Sequence, residues 1–230
     1  MIPSQVTPVR IVIVYYSRFG VVKRLGDAIA AGARGVPNTQ VSFLNVEDRP
    51  LEELREGETE GDMALRRAAV INQLMASEAL IVGAPTYFGS MASEVKRLFE
   101  DCAAANPPPM DRTRPWLHHR FHDKVGAAFT ASGTPHGGNE MALHSILTMM
   151  MHLGMVVVTP GQGQPILENP AAPYGATAIS GPTGDQPLSP DDESAAKALG
   201  ERVAHITTWL TWGRATWSEL RATGRLPQPP

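Results

Sequence analysis

Three short loops hold the residues best suited to grip a small ligand. The first, Ser17-Arg18-Phe19-Gly20, leads from an apolar run into a helical pattern at Val21 and Val22. A helix start presents free amide hydrogens and a partial positive charge, so it can seat a phosphate without a lysine. Ser17 adds a hydroxyl, and Gly20 allows close backbone approach. The loop lacks the Gly-Lys-Ser/Thr of an ATP-binding loop. The second loop follows Ala84 and reads Pro85-Thr86-Tyr87-Phe88-Gly89. Its two aromatics could flank a flat heterocycle, with backbone amides turned toward the polar edge. The third runs Ala131-Ser132-Gly133-Thr134-Pro135-His136-Gly137-Gly138, just ahead of another helical pattern. Its glycines, hydroxyls and histidine make a backbone-rich ligand loop.

Each loop alone has a plainer reading. The first is also a serine-capped turn, the second a turn whose aromatics pack on the core, and the third a connector. What singles them out is where the surrounding elements must put them.

Five apolar runs read as strands: Val9–Tyr16, Val41–Val46, Ala79–Pro85, Lys124–Ser132 and Met155–Pro160. The first, third and fifth are nearly continuous in apolar residues, the pattern of strands covered on both faces. Helical spacing marks Val21–Arg34, Met63–Met75, Ser90–Ala104 and Asn139–Leu153, and a last helix follows the cap-like SPDDE from Asp191 to about Leu210. Alternating strands and helices imply right-handed crossovers and a parallel sheet. The expected fold is α/β, a flavodoxin-like doubly wound sheet of five parallel strands in the order 2-1-3-4-5 with helices on both faces. Its switch point lies between strands one and three, so all three loops open onto one crevice at the C-terminal strand ends. That convergence is the case for a ligand site.

The expected organisation is a single domain over residues 1–210, with loop insertions near 106–123 and 161–190 and a C-terminal extension over 211–230, disordered in its last part. Glu47–Asp62 reads as an acidic surface loop. Trp209, Trp212 and Trp217 suggest that the last helix continues and packs on a neighbour, or on the core.

At 230 residues the chain can bury a sizeable core, and 43% hydrophobic with 19% charged residues is ordinary for a globular protein. A net charge of −3 with mixed signs gives no footprint for nucleic acid. Cys102, the single cysteine, excludes an intramolecular disulfide and a thiolate zinc site. His118, His119 and His122 lack a carboxylate frame, so no metal is expected. With no secretory pattern at the start and no run long enough to span a membrane, a soluble cytoplasmic protein is expected.

The stretches YYSRFG, GAPTYFGSM, FTASGTPHGGNE, HLGMVVV and PYGATAISG occur in this order. Together they resemble the WrbA family of flavodoxin-like NAD(P)H:quinone oxidoreductases, from about Val9 to Thr208. The resemblance implies bound FMN, with NADH or NADPH as electron donor, a quinone as acceptor, and a homotetramer in which neighbouring chains complete each pocket. By position it implies that Ser17 to Val22 hold the phosphate and that Thr86, Tyr87 and Phe88 line the isoalloxazine ring. Ala131 to Gly138 would meet the pyrimidine edge and ribityl chain. It also implies that His152 lies near the flavin and that Trp116 covers the quinone pocket. His152 and His136 are the candidate catalytic groups, able to hydrogen-bond a quinone oxygen and assist protonation.

Two positions depart from the family pattern. Phe19 stands where a tyrosine implicated in nicotinamide binding is common, and can stack but not hydrogen-bond. Tyr87 replaces a frequent arginine and removes a fixed charge. A flavodoxin-type electron carrier and a non-catalytic FMN-binding protein are the alternatives to the enzyme.

Overall fold

A computed structural model describes residues 8–104, 121–162 and 173–224. The elements run β1 (Val9–Tyr15), α1 (Val21–Arg34), β2 (Thr39–Asn45), α2 (Glu60–Ala76), β3 (Ala79–Tyr87), β4 (Ser90–Met91), α3 (Ser93–Ala104), β5 (Val125–Ser132), α4 (Asn139–His152), β6 (Val156–Val157), β7 (Ala176–Ile179) and α5 (Pro190–Ala222). The main sheet is parallel and ordered β2-β1-β3-β5-β6. This is the expected doubly wound order, with the switch between β1 and β3.

Alternation along β1 shows why its sequence is apolar without a break. Val12 and Val14 point into a layer shared with Leu74 of α2, Phe99 of α3 and Ile146 of α4. Ile11 and Ile13 point the other way, into a layer shared with Leu25 and Ile29 of α1 and Leu199 and Val203 of α5. A strand covered on both faces has no side left for polar residues. Helices α1 and α5 approach closely at two glycines. A β-carbon on Gly32 would overlap the Lys197 carbonyl, and one on Gly200 would overlap the Ile29 carbonyl.

The fifth strand position differs from expectation. Only Val156 and Val157 of the Met155–Pro160 run pair with β5, opposite Val125 and Gly126. The other half of that edge comes from β7, which pairs in parallel with Phe129–Ser132. Proline at position 160 has no amide to continue the ladder. Gly161 then turns the chain out at φ 69°, and its amide donates to the Pro173 carbonyl at 3.1 Å, closing the neck of the excursion. The segment read as one irregular loop thus contains a strand.

The last helix is longer than the spacing suggested, reaching Ala222. Its distal part meets the body through Arg214, which donates to the Asp123 carbonyl at 2.7 Å, while Trp209 and Trp217 are exposed.

Candidate functional site

The C-terminal ends of β1, β3, β5 and β7 enclose a cleft of about 220 Å³. Its walls are Ser17, Arg18, Phe19, Val21 and Val22 on one side, Pro85, Thr86 and Tyr87 at the middle, and Ala131, Ser132 and Gly133 beyond. The fourth wall, Ser180 to Gly184, was not anticipated. The signal for it is faint: the short ATAIS run ends in Gly181 and Pro182, a strand followed by a turn.

The second, third and fourth walls are tied to one another. Ser132 donates to the Thr134 carbonyl at 2.8 Å, fixing the start of the third loop. The Ser132 carbonyl accepts from both the amide and the hydroxyl of Ser180, at 2.7 and 3.1 Å. Beneath the cleft floor, Thr130 donates to the Ala84 carbonyl at 2.7 Å and lies 2.8 Å from the Thr86 hydroxyl. Thr86 in turn contacts Asn139 Oδ1 at 2.9 Å. Thr130 and Asn139 are buried, so this polar chain is shielded from water and joins β3, β5 and the first residue of α4.

Two helices start on a capping side chain and two on a glycine. Helices α2 and α5 open with capping boxes, Thr59 with Asp62 and Ser189 with Asp192, and carry acids in the first turn. Helices α1 and α4 open on Gly20 and Gly138, both left-handed at φ 89° and 90°, which offer no side chain of their own as a cap; α4 has Glu140 in its first turn and α1 has no acid. No described residue offers an acceptor to the Val21 or Val22 amides. Ser17 Oγ accepts from Gly20 and Lys23 amides at 3.1 and 3.2 Å, which leaves its own proton available outward. The start of α1 therefore faces the cleft with two free amides, and Arg18 is the single formal charge among the lining residues. This donor set suits a ligand that ends in a phosphate. FMN has that form.

Not every expected residue reaches the walls. Phe88 and Gly89, at φ 51° and 74°, form the turn between β3 and β4, where Tyr87 pairs with Ser90. The turn swings the Phe88 ring fully into solvent, away from the cleft. Thr134, Pro135 and His136 are exposed on the third loop, and Gly137 closes a turn by donating to the Thr134 carbonyl at 3.0 Å. His136 does not line the cleft. His152 lies at the far end of α4, a helix of 14 residues, and so sits roughly 20 Å from the cleft end at 1.5 Å per residue. There it borders an apolar groove between α3 and α4 with Met91, Phe99 and Met149. One chain therefore does not bring His152 to its own cleft. Trp116, His118 and His119 lie outside the described residues. Among the described residues no cluster of three or more His, Cys, Asp or Glu could hold a metal, and no helix is long and apolar enough to cross a membrane.

Tyr16, next to the first loop, is buried and its phenol is pushed well above the usual range. Burial is the main cause, followed by its hydrogen bond to Asp48 and the nearby Glu94. It stays a neutral donor and fastens the 47–59 loop to the end of β1.

Comparison with known proteins agrees with this geometry. A family model for NADPH-dependent FMN reductases matches residues 11–164. An NAD(P)H dehydrogenase (quinone) from Geotalea uraniireducens is 33% identical over 210 residues, spanning 87% of this chain and 98% of the relative. Another of that name from Acidovorax ebreus is 34% identical over 209 residues, spanning 89% of this chain and 99% of the relative. The solved structure of a WrbA-like flavodoxin from Agrobacterium tumefaciens superposes with a TM-score of 0.56 at 24% identity, over 86% of this chain and 97% of the other, a likeness of fold. On the matched family model and these near full-length relatives, the chain belongs to the flavodoxin-like WrbA family of NAD(P)H:quinone oxidoreductases.

Proposed function

We propose that this chain is an FMN-dependent NAD(P)H:quinone oxidoreductase that passes two electrons from a nicotinamide dinucleotide to a quinone in one shared cleft. The observation that carries the reading is the start of α1, where the Val21 and Val22 amides stand without an acceptor on the wall of a cleft at the strand ends of a chain in this family.

When bound, FMN supplies the hydride chemistry itself, accepting two electrons and returning them. The chain's part is binding and orientation. The Val21 and Val22 amides and the Ser17 hydroxyl seat the phosphate. The 85–87 and 131–133 walls fix the plane of the ring, and amides from the Gly133 to Gly138 loop stabilise negative charge on its pyrimidine edge. Phe19, 61% exposed at the mouth, offers a stacking face to the dinucleotide or quinone. His136, on the exposed third loop, is the proposed proton donor to a quinone oxygen. NADH and NADPH both fit this scheme, and the cytoplasm is the compartment it suits.

Assembly into a homotetramer completes the reading. Phe88, Met141 and Met151 expose large apolar surface, and the α3–α4 groove beside His152 is apolar as well. A neighbouring copy would cover these surfaces and would be the route by which His152 and Trp116 meet a flavin.

The test is anaerobic addition of NADH or NADPH to FMN-loaded protein, followed by benzoquinone. Bleaching and full reoxidation without a lasting one-electron form supports the enzyme. A persistent one-electron form supports an electron carrier, and no reduction by either nucleotide refutes the reading. Light scattering reads the assembly, for which a monomer active with quinone is the contrary result.

A further inference from the structure

The start of α1 is electrostatically unusual. Its first turn has no acid, whereas α2 and α5 place Glu60, Asp62, Asp191, Asp192 and Glu193 there. In their place α1 carries Lys23 and Arg24, with Arg18 just ahead. Cations at the positive end of a helix dipole are unfavourable unless an anion sits among them. Lys23 is answered by Asp27 at 2.7 Å. Arg24 is not: its Nη2 donates to two backbone carbonyls, Asp185 at 3.1 Å and Gln186 at 2.9 Å. The Asp185 carboxylate is engaged instead by the Thr183 hydroxyl at 2.5 Å. Arg24 Nε is buried without a partner.

Side chains on a helix lean toward its N-terminus, so Arg24 reaches back along the first turn. Its Nη1 lies beside Gly20, 3.3 Å from where a β-carbon on that glycine would stand. The guanidinium thus fills the space behind the first loop without standing on the cleft wall. Through Nη2 it also holds the end of the 180–186 segment, whose other ties run from Ser180 to Ser132.

We propose that Arg24 is a positioning residue that makes the cleft selective for a phosphorylated flavin. It places a fixed positive charge behind the Ser17–Gly20 loop and anchors the Ser180–Gly184 wall to the same helix turn. The charge acts on the phosphate through the loop's amides, so its effect depends on a phosphate being present. This inference rests on the reading of the cleft as an FMN site.

The test titrates FMN and riboflavin into the full chain, followed by flavin fluorescence, for the wild type, Arg24→Gln and Arg24→Lys, with circular dichroism checking the fold. Arg24→Gln is expected to weaken FMN by about tenfold, the size of one partly buried charge on a dianion, while riboflavin changes less than about twofold. Arg24→Lys keeps the charge but cannot hold two carbonyls in a planar fork, and is expected to retain part of the preference. Equal losses on both flavins, or FMN binding unchanged in Arg24→Gln, overturn the proposal. A second measurement needs no variant: the wild-type preference for FMN over riboflavin is expected to shrink as salt rises, and a salt-independent preference overturns it. If the wild type binds neither flavin, the reading of the cleft itself fails.

Discussion

Phe19 lies against the backbone of Gly184, so that a β-carbon on Gly184 would stand 2.7 Å from Phe19 Cδ2. Gly184 also has φ 81°, a conformation costly for other residues. One ring face is thus braced by the fourth wall while the rest stays open at the mouth. Gly184→Ala is expected to lower stability by about 1 kcal/mol from the backbone alone and to raise the KM for dinucleotide by displacing Phe19. Adding Phe19→Ala should remove the clash, so the double variant's stability loss should fall below the sum of the singles. Chemical denaturation of all three variants reads this coupling.

Capped and uncapped helix starts should respond differently to substitution. Thr59→Ala removes the α2 cap and should cost about 1 kcal/mol with no change in FMN affinity. Gly138→Ala forces a left-handed alanine whose β-carbon stands 3.1 Å from Gly89 Cα. It is expected to weaken FMN binding as well as stability. Flavin titration beside thermal melting separates the two; equal FMN affinities in both variants would contradict the proposed contact of the Gly133 to Gly138 loop with the flavin.

The glycine contact between α1 and α5 predicts a packing effect. Gly200→Ala should destabilise the chain by about 1–3 kcal/mol, because the new methyl meets backbone rather than a movable side chain. Gly213→Ala, on the same helix with open space around it, should be neutral or stabilising. Denaturant midpoints of the two variants make the comparison.

At the opposite, N-terminal ends of β1 and β3, Glu78 binds Arg10 at 2.7 Å. Burial alone would raise its carboxyl, but the Arg10 hydrogen bonds and charge outweigh it and the net shift is downward. A carboxyl held lower in the folded state than in the unfolded one contributes stability above its unfolded pKa. That contribution fades as pH falls through the folded value. Glu78→Gln should therefore destabilise the chain at neutral pH, with the difference narrowing in acid. A difference that grows toward acid would reverse the sign argued here.

Sequence reading recovered the layers well because periodicity records burial. Ile11 to Val14 are all apolar, and both faces of β1 are covered. The three loops were legible for the same reason, since a strand end followed by a helix start fixes their location. Two features were not. The β6–β7 edge hides because Ala176–Ile179 is too short to stand out from the glycines and prolines around it. The placement of His152 was expected from the family resemblance, and its position as the last residue of the 14-residue α4 separates it from the cleft of its own chain. Phe88 is a similar case: an aromatic beside a glycine looks like a ring-lining residue until the hairpin turn sends it outward.

The pinned neck between Gly161 and Pro173 has a consequence for how this fold can vary. β6 and β7 hold separate registers on β5, so insertions or deletions between residues 162 and 173 need not propagate into the fourth wall of the cleft. The excursion is a module whose length and chemistry can diversify while Ser180 to Gly184 stay in place.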